Sequence, residues 1–147
     1  MQTDLLTPAG RIDDAQTALD FLFSGKAFFT LVSRKTGTRY TYMLRRKDGG
    51  DLFFAHTLTG PNNSDDYTYL GSYWPYDGRG LKAGRNGNAS DVRFKGLAYL
   101  LRKIKAGEMP HDAELWHEGR CGRCSRRLTD PASIARGLGP TCAGLSS

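Results

Sequence analysis

Apolar residues recur along the first half of the chain with two different periods, and each change of period marks a change of element. Ala15, Ala18, Leu19, Leu22 and Phe23 share one face of a 3.6-residue repeat, Asp13 or Asp14 is placed to cap its start, and Gly25 ends it. Four strand-like runs follow, Ala27–Arg34, Thr38–Arg46, Leu52–Leu58 and Tyr67–Tyr73. Within the second, Thr38, Tyr40, Tyr42 and Leu44 alternate with Arg39, Thr41, Met43 and Arg45, the period-2 pattern of a strand with one buried face. The connections at Lys35-Thr36-Gly37, at 47–50 and at 60–66 are turns. None can hold a parallel crossover, so an antiparallel meander is predicted.

The pattern returns to a helical period after residue 90. Ser90 is placed to cap a helix from Asp91 to Ala106, with Gly107 at its exit and Pro110 beyond. Phe94, Leu97, Ala98, Leu101 and Ile104 form its buried face, and Lys95, Tyr99, Arg102 and Lys103 share the opposite one. A charged stripe is ordinarily a solvated surface; a tyrosine inside it also offers a stacking plane between phosphate contacts. Between sheet and helix, residues 76–88 interleave glycines with Arg79, Lys82 and Arg85. The phosphate-loop pattern is missing, so this is either a surface connector or a basic arm that orders on a phosphate backbone.

These elements predict an α+β fold, with an antiparallel four-stranded sheet and two helices in residues 1–109, and a small separate module in residues 110–147. No apolar run has the length of a membrane span, so a soluble, cytoplasmic protein with no membrane partner is expected. Charge is uneven. Residues 1–78 carry 8 Lys/Arg against 9 Asp/Glu, and residues 79–147 carry 13 against 6, so the basic character lies wholly in the second part. An anionic partner is expected there.

All three cysteines lie near the C-terminus, as His117-x3-Cys121-x2-Cys124-x17-Cys142. An odd number of thiols argues against a disulfide framework. A C-x2-C turn converges two thiolates, and a third thiolate and an imidazole complete the soft tetrahedral set that Zn2+ prefers. Redox thiols and another metal or cluster are the weaker alternatives, and His111 or another segment is the alternative source of the fourth ligand. Asp130 and Pro131 suit the start of a short helix, Gly137 its left-handed exit, and Gly139-Pro140 turns Cys142 back. The expected unit is a zinc ribbon or treble-clef-like module. About 30 residues cannot bury enough apolar surface to fold without such a staple. The module also carries Arg120, Arg123, Arg126, Arg127 and Arg136 against Glu118 and Asp130, a surplus of planar cations suited to phosphates or base edges.

Catalytic constellations are thin: His56 lies in mid-strand, and Asp65-Asp66 sits in a polar turn. The stretch Trp116 to Cys124, then Arg127 to Pro131 with Ser133-Ile134, then Gly137 to Cys142, resembles a family of small bacteriophage and prophage proteins of unassigned function. Phe29 to Ser33, Thr36 to Arg39, Leu58 to Pro61 and Asp66-Tyr67 extend the resemblance over most of the chain. Ser125 departs from it, since a glycine is commoner there. The resemblance implies a phage origin and a zinc-bound C-terminus and supplies no activity. The expectation is a non-catalytic, phage-encoded accessory protein that binds DNA or RNA. The alternative is an interaction module that inhibits a host defence complex, for example of CRISPR type, by occupying its nucleic-acid-binding groove.

Overall fold

Alternation of apolar and polar residues builds the centre of the sheet much where the sequence predicts it. In the computed structural model, which describes residues 10–47, 50–60, 66–75, 80–84, 90–121 and 137–138, the elements run β1 (Arg11–Ile12), α1 (Ala15–Leu22), β2 (Lys26–Ser33), β3 (Arg39–Arg46), β4 (Phe53–Leu58), β5 (Tyr67–Trp74), β6 (Gly80–Ala83), α2 (Val92–Lys105) and β7 (Ala113–His117). One seven-stranded sheet has the order β1-β7-β2-β3-β4-β5-β6, and every pairing is antiparallel.

The expected four-stranded α+β fold is therefore corrected, among the described residues, to a mainly β arrangement with a seven-stranded sheet and two helices. The three strands beyond the meander each escape the sequence for a different reason. β1 is two residues long, too short for any period to register. β6 lies inside the glycine-rich stretch that reads as a connector, and is recruited by pairing with β5. β7 alternates properly, with Ala113, Leu115 and His117 against Glu114 and Trp116, but lies in the range assigned to the C-terminal module. It inserts between β1 and β2, so the expected boundary at residue 109/110 falls just before a strand of the main sheet.

Both helices pack on one face of the sheet. Asp14 caps α1 through its carboxylate, which accepts the Thr17 N–H at 2.9 Å, and Asp91, rather than Ser90, caps α2 by accepting the Arg93 N–H at 2.7 Å. Phe21, Leu22, Leu97, Leu101 and Ile104 from the helices meet Ile12, Phe29, Tyr42, Leu44, Phe53 and Leu115 from the sheet in one core. Leu100 is buried as well, although the predicted face leaves it out, because α2 is flanked by both the sheet and α1. Buried Tyr42 donates its hydroxyl to the Arg93 carbonyl at 2.7 Å and ties β3 to the first turn of α2. Burial pushes its pKa far up, so the hydroxyl stays a donor.

A bulge in β5 decides which tyrosines reach the core. Ala55 pairs with Gly71 but His56 pairs with Tyr69, so Leu70 is the extra residue. The strand changes phase there. Gly71 and Tyr73 face the helices, whereas Tyr67 and Tyr69 share the face of His56 and Leu58.

Candidate functional site

The segment that holds the expected metal ligands starts inside the sheet. His117 is the last residue of β7; it is buried, and its ring lies tilted against Phe21 of α1 at 5.7 Å. Its Nδ1 accepts the Gly119 N–H at 2.9 Å. An imidazole that binds a metal gives one lone pair to the ion and keeps a proton on its other nitrogen. Metal at either nitrogen thus requires this hydrogen bond to be released, at Nδ1 because the lone pair is taken, at Nε2 because the ring would have no proton left. Cys121, four residues on, is buried. Cys124 and Cys142 lie outside the described residues, and among the described residues no group of three His, Cys, Asp or Glu could hold a metal. His111 precedes β7, so the length of that strand, about 13 Å at 3.3 Å per residue, lies between it and His117. Gly137 has a φ of +74°, the left-handed conformation expected at a helix exit, and the predicted helix before it lies outside the described residues. A Cβ on Gly137 would stand 2.6 Å from Phe21 Cδ1, so Phe21 lies against both His117 and Gly137.

Arg120 turns the other way, onto the face that the helices leave open. Its guanidinium lies 4.8 Å from the Phe28 ring, and Phe28 meets Tyr67 at 5.7 Å. Phe28 is on β2 and Tyr67 on β5, three strand spacings or about 14 Å apart in a flat sheet, so the sheet curls towards this side. Glu118 also lies here. Its carboxyl is raised by burial, against the opposing pull of Arg120 and a hydrogen bond from Thr30. Burial pushes the Tyr67 hydroxyl up to about 12, with Glu118 adding to it and Arg120 opposing. Tyr67 Oη and His56 Nδ1 are buried with no hydrogen-bond partner among the described residues.

Around this trough, Glu118 apart, the strands β2 to β6 are basic. β2, β3, β4, β5 and β6 contain no Asp or Glu, and they carry Lys26, Arg39, Arg45, Arg46 and Lys82. Arg46 points to the helix side, where it lies over Phe53 and donates to the Phe23 carbonyl at 3.1 Å. The other four belong to the open face by register. Arg45 lies over the Phe54 ring at 5.3 Å, and Phe54 and His56 both meet Tyr69 edge-on, at 6.0 and 5.4 Å. Tyr69 is 44 % exposed.

The stripe predicted on α2 is brought together but is partly occupied with itself. Arg102 and Lys103 sit 5.5 and 6.0 Å from the Tyr99 ring, the Tyr99 hydroxyl donates to Asp112 at 2.9 Å, and Lys103 pairs with Glu108 at 3.4 Å. Lys95 is exposed nearby, and Arg102 lines a cavity of about 350 Å³ with Leu101, Tyr73 and Leu81. Of the remaining predicted contacts, Lys82 is exposed on β6, whereas Arg79, Arg85, Arg123, Arg126, Arg127 and Arg136 lie outside the described residues. Asp65 lies outside them too, and Asp66 closes its loop through its carbonyl, which accepts the Thr59 N–H at 2.8 Å.

The open-face set of Lys26, Arg45, Phe54 and Tyr69 is absent from the sequence expectation. Its signal was present, since no carboxylate occurs between Asp20 and Asp48. The bulge hid the rest, because strict alternation puts Tyr67, Tyr69, Gly71 and Tyr73 on one face.

Residues 116–146 match a family described as a family of unknown function, DUF6011. That stretch begins on β7 and contains all four expected metal ligands. No curated protein and no solved structure matches the chain. Among the described residues, no helix is long and apolar enough to cross a membrane.

Proposed function

We propose that this chain is a non-catalytic nucleic-acid-binding accessory protein whose C-terminal segment folds around zinc. The observation that carries it is the run of five adjacent strands with four cations on the open face and no carboxylate. A polyanion meets no like charge anywhere on those strands, and neutralising its phosphates releases counterions. A groove in a host complex that itself binds nucleic acid is built to hold phosphate, and a basic face would meet like charge there. Nucleic acid is therefore the better partner for this surface than such a groove.

Zinc belongs to the proposal through the donor set. Cys121 and His117 are both buried, which suits a closed structural site; once His117 Nδ1 releases the Gly119 N–H, Cys124 and Cys142 would complete a Cys3His set with no position left for a reacting water. Bound there, zinc would supply rigidity and no chemistry of its own. A bacteriophage or prophage origin rests on the resemblance alone.

Binding of single-stranded and duplex DNA and RNA, measured against salt, tests the function. The expected result is tight binding at low salt that weakens linearly in log–log form as salt rises. Absence of binding to all four probes at low salt would sink it.

A further inference from the structure

Resting on that function, we infer that the open face of the sheet, rather than the α2 stripe, is the binding surface, and that its ligand is an unpaired strand crossing β2 to β6. One register row spans all five strands, as Lys26 faces Arg45, Arg45 faces Phe54, Phe54 faces Ser72 and Ser72 faces Lys82. Cations stand at both ends and beside an aromatic near the middle. Four strand spacings make the path about 19 Å long. In the next row, displaced by the bulge, stands Tyr69.

Tyr69 is held in place rather than merely exposed. Phe54 and His56 meet its ring at 68° each, and on its other flank Gly84 leaves the space that the ring fills. A Cβ at Gly84 would stand 2.5 Å from Tyr69 Cε2. Even so held, 44 % of the residue remains open. An ordered aromatic ring beside cations that make no ion pair among the described residues is what a free base requires, stacking on the ring while its flanking phosphates reach the cations. Bases within a duplex already stack on both sides and offer no face to Tyr69 unless they are unpaired at a cost. The α2 stripe lacks this arrangement. Its tyrosine is bonded to Asp112, and one of its cations is paired with Glu108.

The experiment is fluorescence anisotropy on the full chain with labelled oligo(dT), oligo(U) and a duplex of equal length, with inorganic polyphosphate as a competitor that has charge but no bases. The single strands are expected to bind more tightly than the duplex. Tyr69→Ala should weaken oligo(dT) binding about tenfold or more, and Tyr69→Phe should restore it. Gly84→Ala, which keeps the ring but displaces it, should weaken binding in the same direction. Lys26→Ala and Lys82→Ala should each lower the salt slope by about 0.7. A far-ultraviolet thermal melt of each variant separates lost binding from lost fold. If nucleic acid binds but Tyr69→Ala is silent while the joint change of Lys95, Arg102 and Lys103 to Ala abolishes binding, the surface is wrong and the general function stands. Equal affinity for duplex, or full displacement by polyphosphate at matched charge, overturns the stacking. A dimer that Tyr69→Ala converts to monomer assigns the face to a second copy and also overturns it. No binding by any probe removes both.

Discussion

Gly96 shows how a single hydrogen atom in place of a side chain sets the distance between layers. It lies within α2, where glycine costs about 1 kcal/mol relative to alanine, yet a Cβ there would stand 3.2 Å from the Tyr42 hydroxyl oxygen. That oxygen cannot move freely, because it donates to the Arg93 carbonyl and the ring around it is buried. Denaturant unfolding should find Gly96→Ala no more stable than the parent, because displacement of Tyr42 offsets the helical gain. Tyr42→Phe should cost about 1 kcal/mol through the lost hydrogen bond. In the Tyr42→Phe background, Gly96→Ala should then stabilise by about 1 kcal/mol, the coupling appearing as non-additivity. His56 makes a second residue-level prediction. Burial first, and Arg45 second, lower its pKa from the ordinary 6.5. A histidine lowered in the folded state takes up its proton more readily when unfolded. Its neutral form thus supports the fold above pH 6.5, and stability declines as pH falls from 6.5 towards the folded value. His56→Gln should flatten that part of the stability–pH curve.

At the scale of elements, β6 is held by a glycine that is not its own. A Cβ on Gly71 of β5 would collide with the Lys82 carbonyl, which is backbone and cannot swing aside. Gly71→Ala should therefore strip β6 from the sheet, with a cost of about 2–4 kcal/mol as expected for overpacking combined with lost strand pairing, and early amide exchange confined to residues 80–84. This also explains what the sequence could reveal. The two helices and four longer strands were legible within a residue or two, since each carries a period and a cap or turn. β6 has four residues, and its place follows from its neighbour's missing side chain, which no local pattern records. Cys121 and His117 were legible as candidate ligands from spacing alone. That His117 also pairs across the sheet with Phe29 and rests on Phe21 was not, because both contacts join residues distant in sequence.

For the molecule as a whole, the described ends of the C-terminal stretch rest on the sheet and α1, because His117 ends β7 and Phe21 lies against both His117 and Gly137. Metal content measured on purified protein should be about one zinc per chain, and Cys121→Ser or Cys142→Ser should lose it. Chelation should lower the melting temperature of the sheet as well as of the C-terminal residues. Retention of full zinc affinity in His117→Ala would assign the fourth ligand elsewhere. The position of β7 has a further consequence, in the order of synthesis. β2 and β3 are made one after the other and can pair at once, but the partner that covers the other edge of β2 is β7, made after α2, and the partner of β7 is β1, made before β2. Arg11 and Ile12 must wait for Leu115 and Trp116, made nearly at the opposite end of the chain. The nascent protein therefore carries an unpaired β2 edge until the segment with the proposed metal ligands is emerging, so the last strand needed to complete the sheet arrives together with the first residues proposed to hold zinc.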